Sequence, residues 1–405
     1  MKKYKVSVVL GIRPDFIRTS KVLKLLDAHP EVDLTLIHTG QHYDENLNGV
    51  FFDEMKIPSI THQLDTRGKN HNEQHAKLIL QLSDALENIN PDVCLFLGDA
   101  NAVVGAIAPL KLGIPIAHIE AGMRSYNWDM PEERNRVIID RISDVLYVYQ
   151  DDYRVQIVQE GIAPSKILVT GNVIVDVIEE YKDKIQWNES PCDICDNEKD
   201  TLYGFCSIHQ IRKGKYALMT LHRNEHMTNP ELAQNIINEV GRFTKEHNML
   251  VKLIEMPRLK ALGLKYPYHF IPTPPLGFFN FLCLEANAAI EFTDSGTNQE
   301  VASIVGTPCV TTRSCTERPE CWNCGTTVMA DWPDICDAAE YVLQAPFNKE
   351  FTLGDGRSSE RIVNDLVKRL KRNFDRDIPA YIDLFKRNHA KVFHGASVNQ
   401  VAYAH

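Results

Sequence analysis

The 405-residue chain lacks several features that would define its class at once. No apolar stretch reaches the roughly 18 residues that a membrane-spanning helix needs, so no membrane segment is predicted. The opening stretch, MKKYKVSVVLGIRPD, has neither a hydrophobic region of signal-peptide length nor a small-residue cleavage site. We therefore expect a cytoplasmic protein whose ten cysteines are reduced thiols or metal ligands rather than disulfides.

An excess of positive charge is also absent, because the formal net charge is −10. This balance argues against a nucleic-acid partner and leaves room only for a local basic pocket that takes a phosphorylated small molecule. The motifs GxxxxGK[ST] and GxGxxG do not occur, so neither a P-loop nor an ordinary dinucleotide site is predicted, and no organic cofactor is expected. The i,i+4 pairs His71/His75 and His222/His226 do not fit HExxH, which argues against a catalytic zinc site.

The chain does contain a regular alternation of short apolar runs and helix-like segments. KVSVVL at 5–10 is typical of a buried strand, and residues 14–29 have helical periodicity with Pro14 at a first turn. The pattern restarts after about residue 175 with KYALMTLH. Buried strands alternating with helices predict parallel sheets, and the length predicts two domains.

The predicted fold class is α/β, with two doubly wound Rossmann-like domains facing a central cleft. We assign the chain to an N-terminal domain at 1–175, a C-terminal domain at 176–370 with a Cys/His insertion at about 187–215, and a helical extension at 371–405.

Polar clusters follow six of the predicted strands: GIRPD, TGQHYD, GDAN, HIEAG, LHRNEH and TDSGTNQE. Ligands of such folds bind beyond the carboxyl ends of the strands, so the clusters predict an enzyme with an interdomain active site. The alternative is that polar residues merely occupy loops, which explains any one cluster better than all six.

Residues 118–135, HIEAGMRSYNWDMPEERN, place Glu120, Glu132 and Glu133 in one short segment. If these carboxylates face a common pocket, their repulsion raises at least one pKa and allows a proton to be held at neutral pH. The segment is therefore a candidate for acid–base chemistry, whereas a solvated loop is the alternative.

TDSGTNQE at 293–300 closes a strand and opens a helix. Ser295, Gly296 and Thr297 would lie at the helix N-terminus, which attracts phosphate, and Glu300 could accept from vicinal hydroxyls. The alternative is a helix cap without a ligand. Near the ends of other strands, Arg13 could add charge to a pyrophosphate, and His222 could donate to a phosphate or carry a proton.

A metal signal lies between the two halves. CDIC and FCSIH supply a Cys₃His set with two-residue gaps, typical of structural Zn²⁺, whereas a loop with unpaired thiols is the alternative. Such a closed set has no open position for catalysis. The predicted ligands are Cys192, Cys195, Cys206 and His209.

A series of motifs spans residues 11 to about 370. In chain order they are GIRPDFIR, TGQHYDE, GDANAVVGA, HIEAGMR, PEERNR, VTGNVIVD, LHRNE, TDSGTNQEVASIVGTPCV, TERPE and GDGRSSERI. With them the chain resembles the non-hydrolysing UDP-N-acetylglucosamine 2-epimerases, which share the B-type fold of nucleotide-sugar glycosyltransferases. Arg18 stands where that family usually has lysine. The resemblance implies a UDP-sugar substrate and a homodimer. It also implies catalytic roles for Asp99, Glu120, Glu132 and His222, and substrate binding by Arg13, Ser295, Gly296, Glu300 and Phe281, the last by stacking on uracil.

The reaction implied is inversion at C2 of a UDP-N-acetylhexosamine, from UDP-GlcNAc to UDP-ManNAc. Loss of UDP from C1 together with H2 gives 2-acetamidoglucal, and re-addition inverts C2; this needs a base, an acid and groups that stabilise the departing diphosphate. Three alternatives stay open: a UDP-2,3-diacetamido sugar or uronate as substrate, a glycosyltransferase of the same fold, and a UDP-sugar sensor. Fold alone does not choose among them.

Overall fold

The computed structural model describes residues 3–40, 52, 55–184 and 214–374. The first half forms a seven-stranded, wholly parallel sheet in the order β3-β2-β1-β4-β5-β6-β7. The strand order reverses between β1 and β4, which is the switch point where ligands bind in such sheets. The strands are β1 Tyr4–Leu10, β2 Val32–His38, β3 His62–Gln63, β4 Val93–Leu97, β5 Ile116–Ala121, β6 Val145–Val148 and β7 Ile167–Val169.

Helices cover both faces of this sheet, because its strands are apolar on both sides and bury two separate hydrophobic clusters. Short 3-10 turns lie at Asn101–Ala106, Pro164–Lys166 and Lys182–Lys184. The helices are α1 Arg13–Ala28, α2 His71–Ile89, α3 Ile107–Leu112, α4 Pro131–Ile142, α5 Asp151–Gln159 and α6 Val173–Tyr181.

The second half repeats the plan with a six-stranded parallel sheet in the order β10-β9-β8-β11-β12-β13. Its strands are β8 Tyr216–Thr220, β9 Leu250–Ile254, β10 Phe270–Thr273, β11 Ile290–Thr293, β12 Cys309–Thr311 and β13 Thr327–Met329. The helices are α7 Asn224–Met227, α8 Pro230–Glu246, α9 Pro257–Ala261, α10 Phe278–Asn287, α11 Gly296–Val305, α12 Ile335–Gln344 and α13 Ser358–Lys371, with a 3-10 turn at Pro319–Cys324.

The predicted fold class, two doubly wound parallel sheets, is confirmed. Helix α13, which the sequence division assigns to the second domain, packs against α1 and α6 of the first half. Its apolar side chains, among them Ile362 and Leu366, enter the first sheet's core beside Val6 and Leu23. The amphipathic pattern of α13 shows that one face is buried but not which sheet it covers. The packing of α13 on the first half could therefore not be predicted from the sequence.

The predicted zinc ligands Cys192, Cys195, Cys206 and His209 lie outside the described residues, as does the extension beyond Phe374, so both stay predictions. Within the described ranges, no group of three metal-ligating side chains occurs. In the same ranges, none of the helices has the length and apolar character that crossing a membrane requires.

Candidate active site

Glu120 occupies a bulge at the end of β5. The pairing with β6 shifts register between Ile119 and Ala121, and Glu120 itself adopts a left-handed backbone with φ +70°. A bulge of this kind re-aims a side chain, and non-glycine residues in this region store strain that is common at functional sites. The result is that the Glu120 carboxylate is directed into contacts with the loops of both halves.

Two arginines hold the buried Glu120 carboxylate, one from each half of the chain. Arg18 of α1 forms an ion pair with Oε2, and Arg318 Nη2 donates to Oε1 at 2.9 Å. The Tyr149 hydroxyl donates to Oε2 at 3.3 Å. Glu120 therefore links the first sheet to the loop that follows β12 in the second.

Asp99 lies directly beyond β4 and pairs with Arg136 of α4. Burial alone would raise the pKa of Asp99, but the neighbouring guanidinium groups of Arg136, Arg318 and Arg223 together outweigh it and hold the pKa below its ordinary value. Asn135 Nδ2 donates to the backbone carbonyl of Asp99 at 2.9 Å and fixes the turn. Asp99 is accordingly an ionised carboxylate at neutral pH, the form that accepts a proton.

The glutamates of PEERN have different surroundings. Glu133 is buried and accepts hydrogen bonds from the backbone N–H groups of Ser125 and Tyr126, both at 2.9 Å, and from Arg136 Nη1 at 2.6 Å. It therefore holds the loop in shape. Glu132, in the first turn of α4, is half-buried and interacts electrostatically with Arg223 of the second half. The repulsion between these glutamates that we expected from the sequence is offset by neighbouring arginines, Arg136 at Glu133 and Arg223 at Glu132.

Glu317, which follows β12, is the centre of the charge network. Its carboxylate pairs with Arg318, with Arg313 at 3.3 Å, and with Arg136 and Arg223 at 3.5 Å each. Burial by itself would raise the pKa of Glu317, but the surrounding guanidinium groups, Arg318 first, hold it well below the ordinary range. One anion thus gathers cations from both halves of the molecule.

The N-terminus of α11 is built as predicted, with Ser295 as the cap: its hydroxyl accepts from the Asn298 N–H at 3.4 Å, and Thr297 is half-buried in the first turn. A Cβ added to Gly296 would lie 2.5 Å from Arg318 Nη1. Glycine is therefore required here because the Arg318 guanidinium rests against the helix N-terminus. The predicted phosphate position and Arg318 are immediate neighbours.

Glu300 is fully buried one turn further along α11. Its Oε1 accepts from Asn172 Nδ2 at 2.8 Å and lies 2.9 Å from Arg318 Nε. Its Oε2 receives no hydrogen bond from the described residues. Since Asn172 follows β7 of the first sheet, Glu300 joins the two halves and keeps one oxygen that could accept from a hydroxyl.

His222 follows β8 and is oriented by Asp294. The imidazole Nδ1 lies 3.0 Å from Asp294 Oδ1, while His226 Nδ1 lies 2.8 Å from Oδ2. Burial alone would raise the pKa of Asp294. The combined effect of His222 and His226 is larger and opposite, so the pKa lies below its ordinary value. With 42% of its side chain exposed, the His222 imidazole is accessible to a ligand.

Arg13 and Phe281 lie at the margin of this network. Arg13, beyond β1, donates through Nη2 to the carbonyl of Leu276 in the second half at 3.1 Å. Phe281 of α10 is half-buried against the cluster that contains Tyr216 and Leu284. The structure thus brings Arg13 to the interface between the halves and packs Phe281 against an apolar cluster of the second half.

The sequence profile described as UDP-N-acetylglucosamine 2-epimerase matches residues 24–367, most of the chain. The chain belongs to the UDP-N-acetylglucosamine 2-epimerase family. The UDP-N-acetylglucosamine 2-epimerase of Methanocaldococcus jannaschii is 34% identical over 375 residues, which cover 90% of this chain and 99% of that protein. A crystal structure of the M. jannaschii enzyme in complex with UDP-GlcNAc and UDP superposes with a TM-score of 0.81, covering 90% of this chain and 99% of that chain.

The name of another relative specifies a different sugar. The UDP-2,3-diacetamido-2,3-dideoxy-D-glucuronate 2-epimerase of Pseudomonas aeruginosa is 31% identical over 375 residues, covering 90% of this chain and 99% of that protein. Membership of the epimerase family therefore leaves the sugar open.

Sequence reasoning from carboxylate and phosphate chemistry missed five charged residues of the site in this family member. The residues concerned are Arg136, Arg223, Asp294, Glu317 and Arg318. Each stands inside a motif that the sequence analysis quotes: PEERNR, LHRNE, TDSG or TERPE. A search for arginines in these motifs would have found three of the five, Arg136, Arg223 and Arg318.

Proposed function

We propose that this chain interconverts UDP-N-acetylglucosamine and UDP-N-acetylmannosamine by anti elimination of UDP and its re-addition, without hydrolysis. The observation that supports this most is that candidate acid–base groups and candidate phosphate-binding groups lie in one network. Carboxylates from the first half, Asp99 and Glu120, share one arginine network with phosphate-binding elements of the second half, His222 and the N-terminus of α11.

In the first step a carboxylate accepts H2, the C2–H electron pair forms the C1=C2 bond, and the C1–O bond breaks to release UDP. Direct deprotonation of C2 is unfavourable because no carbonyl activates that carbon, whereas coupled loss of UDP avoids a free carbanion. An ionised Asp99 suits the accepting role, and carboxylates also stabilise positive charge that develops at C1.

In the second step a carboxylic acid returns a proton to the opposite face of C2 while a phosphate oxygen of UDP re-forms the C1–O bond. We assign the tasks of base, acid and stabilising anion to Asp99, Glu120 and Glu132 together. Glu120 is held between Arg18 and Arg318, while Glu132 is half-buried. These different surroundings fit carboxyl groups with different tasks.

Release of the diphosphate needs cationic and dipolar groups. We assign this role to His222, oriented by Asp294, to Arg13, and to the N-terminus of α11 at Ser295–Thr297, where the backbone N–H groups of Gly296 and Thr297 lie in the first turn. Glu300 Oε2 would accept from a ribose hydroxyl.

The test is steady-state turnover with UDP binding measured in parallel. Asp99→Ala and Glu132→Ala should each reduce kcat by at least about 10³-fold, because a proton-transfer group is lost, while UDP affinity is retained. Asp129→Ala, at an exposed position in the same loop, is the control and should keep turnover. Turnover retained in either active-site variant would remove that residue from the mechanism.

A diacetamido-uronate nucleotide is the second candidate substrate, favoured by the P. aeruginosa relative. It would keep the same elimination and re-addition and differ at C3 and C6. Parallel assays with both nucleotides decide: epimerisation of the uronate alone overturns the UDP-GlcNAc assignment. A same-fold transferase or a sensor would bind UDP and epimerise neither.

We also propose a homodimer, with the first half supplying the contact. Leu80 of α2 is 66% exposed, and Leu110 and Leu112 of the adjoining α3 are likewise exposed, which is apolar area suited to a second copy. Light scattering should give twice the chain mass, and a Leu80→Glu/Leu110→Glu variant should halve it. The control Tyr268→Glu, at an exposed position of the second half, should stay dimeric. A monomeric parent protein would contradict the proposal.

A further inference from the structure

Two glutamates of the second half meet in the interior, behind the predicted nucleotide site. Glu285 lies on α10 and Glu291 on the central strand β11, with only 1% and 0% of their surfaces exposed. Their carboxyl groups lie close enough to interact directly. Neither has a role in the chemistry proposed above.

A hydrogen bond between two carboxyl groups requires a proton, because an ionised carboxylate can only accept. Each glutamate also keeps one buried oxygen, Glu285 Oε1 and Glu291 Oε2, that receives no N–H or O–H donor from the described residues. Two buried, unprotonated carboxylates in contact would repel each other strongly. Burial, with the neighbouring carboxyl, raises the pKa of Glu285 well above its ordinary value, and burial raises that of Glu291 to about 7.

The pair is connected to the first turn of α11 through Asn298. The Asn298 side-chain amide donates to Glu291 Oε1 at 3.0 Å and to Thr220 Oγ1 at 3.3 Å. Its backbone N–H donates to the Ser295 hydroxyl, the cap of the helix. One side chain therefore joins the carboxyl pair to the helix end that is assigned to the diphosphate.

The other groups that face the pair come from the neighbouring strands and from α10. Tyr216 of β8 and Cys309 of β12 stay neutral, because burial raises the pKa of both above the ordinary value, and Cys283 lies on α10. Lys252 of β9 is on the same sheet face, one strand beyond Leu218, which is the in-register neighbour of Glu291.

We propose that Glu285 and Glu291 share one proton and, through Asn298, position the first turn of α11, so that UDP binding weakens when that proton is lost. The inference rests on the UDP site assigned under the proposed function. Both glutamates are positioning residues: loss of the proton leaves two repelling carboxylates, which displace Asn298 and add negative charge behind the phosphate position.

The test is UDP affinity by calorimetry from about pH 7 to about pH 9, with each variant compared with the parent at the same pH so that the titration of UDP itself cancels. Between these limits, the parent should lose affinity about tenfold, and Glu285→Gln, which keeps a hydrogen-bond donor without an ionisable proton, should change less than about twofold. Glu340→Gln, at an exposed position on α12, is the control and should follow the parent.

Thermal unfolding supplies a readout that does not depend on UDP. Because the folded pair binds its proton more tightly than the unfolded chain, the parent loses stability as pH rises, and Glu285→Gln should unfold at least about 3 °C higher than the parent at alkaline pH. Asn298→Ala should keep the parent's pH dependence of unfolding but lose that of UDP binding.

Parallel pH curves for the parent and Glu285→Gln, in binding and in unfolding, would overturn the proposal. If the proposed function is wrong, the result is different. Neither the parent nor any variant binds UDP, while the difference in thermal unfolding between the parent and Glu285→Gln remains.

Discussion

At the scale of single residues, the site consists of carboxylates that are paired with arginines. Glu120, Glu300 and Glu317 are buried, and a guanidinium group of Arg318 reaches all three. The sequence allowed prediction of Glu120 and Glu300 from their motifs. It could not give their partners, because Arg318 is 198 positions away from Glu120 and only the fold brings them together.

Glu317→Gln should lower the free energy of unfolding by about 3–5 kcal/mol, because it leaves several buried guanidinium groups without their common anion. Denaturant unfolding measures the loss. Glu225→Gln is the matched control: Glu225 is half-exposed and 3.8 Å from Arg313, so its loss should cost no more than about 0.5 kcal/mol. Equal, small effects of both substitutions would contradict the central place of Glu317.

Asp15 makes a pH-dependent contribution. Its carboxyl accepts from the backbone N–H groups of Gly11 and Ile12, and burial raises its pKa to about 7, against the smaller lowering effects of those bonds and of Arg18. The folded state therefore holds a proton that the unfolded chain releases near pH 4, so stability falls as pH rises toward 7.

Asp15→Asn should remove this loss, because an amide keeps the acceptor oxygen and does not ionise. Between about pH 5.5 and about pH 8 the stability of the parent should fall by about 2 kcal/mol more than that of the variant. Denaturant unfolding at the two pH values tests it; identical pH dependence in both proteins would show that Asp15 is ionised in the fold.

At the scale of elements, periodicity and strand ends were sufficient to predict most of the architecture. The strand KVSVVL and the helix that opens at Gly296 follow from apolar runs and from capping chemistry. The bulge at Glu120 could not be predicted, because HIEAG reads as a continuous strand up to its glycine and the left-handed backbone falls on the glutamate before it. Its side chain is re-aimed by contacts that the local sequence does not contain.

Gly296→Ala should reduce turnover and UDP affinity at least about tenfold, because the added Cβ displaces the Arg318 guanidinium from the α11 N-terminus. Gly241→Ala is the matched control: its Cβ would lie 2.7 Å from Pro267 Cγ in the second sheet's outer layer, so it should lower the thermal midpoint and leave kinetics unchanged. Unchanged kinetics in both variants would contradict the role of this close approach.

At the scale of the whole molecule, two sheets from different parts of the chain contribute to one charge network. Arg318, Glu300 and Asn172 connect them by direct contacts, and α13 returns from the second half to pack on the first. The two sheets could be predicted from the sequence, whereas the cluster TGQHYD lies mostly outside the described residues. The return of α13 could not be predicted, because an amphipathic helix identifies a buried face but not its partner.

The measurement that tests the account most directly is proton NMR of the protein with UDP-N-acetylglucosamine in D₂O. Elimination and re-addition take the C2 proton from solvent, so the spectrum should show deuterium at C2 together with UDP-N-acetylmannosamine. Release of free N-acetylmannosamine with UDP would contradict the non-hydrolysing mechanism. Epimerised product that retains hydrogen at C2, or no exchange at all in a protein that binds UDP, would contradict the proposed chemistry itself.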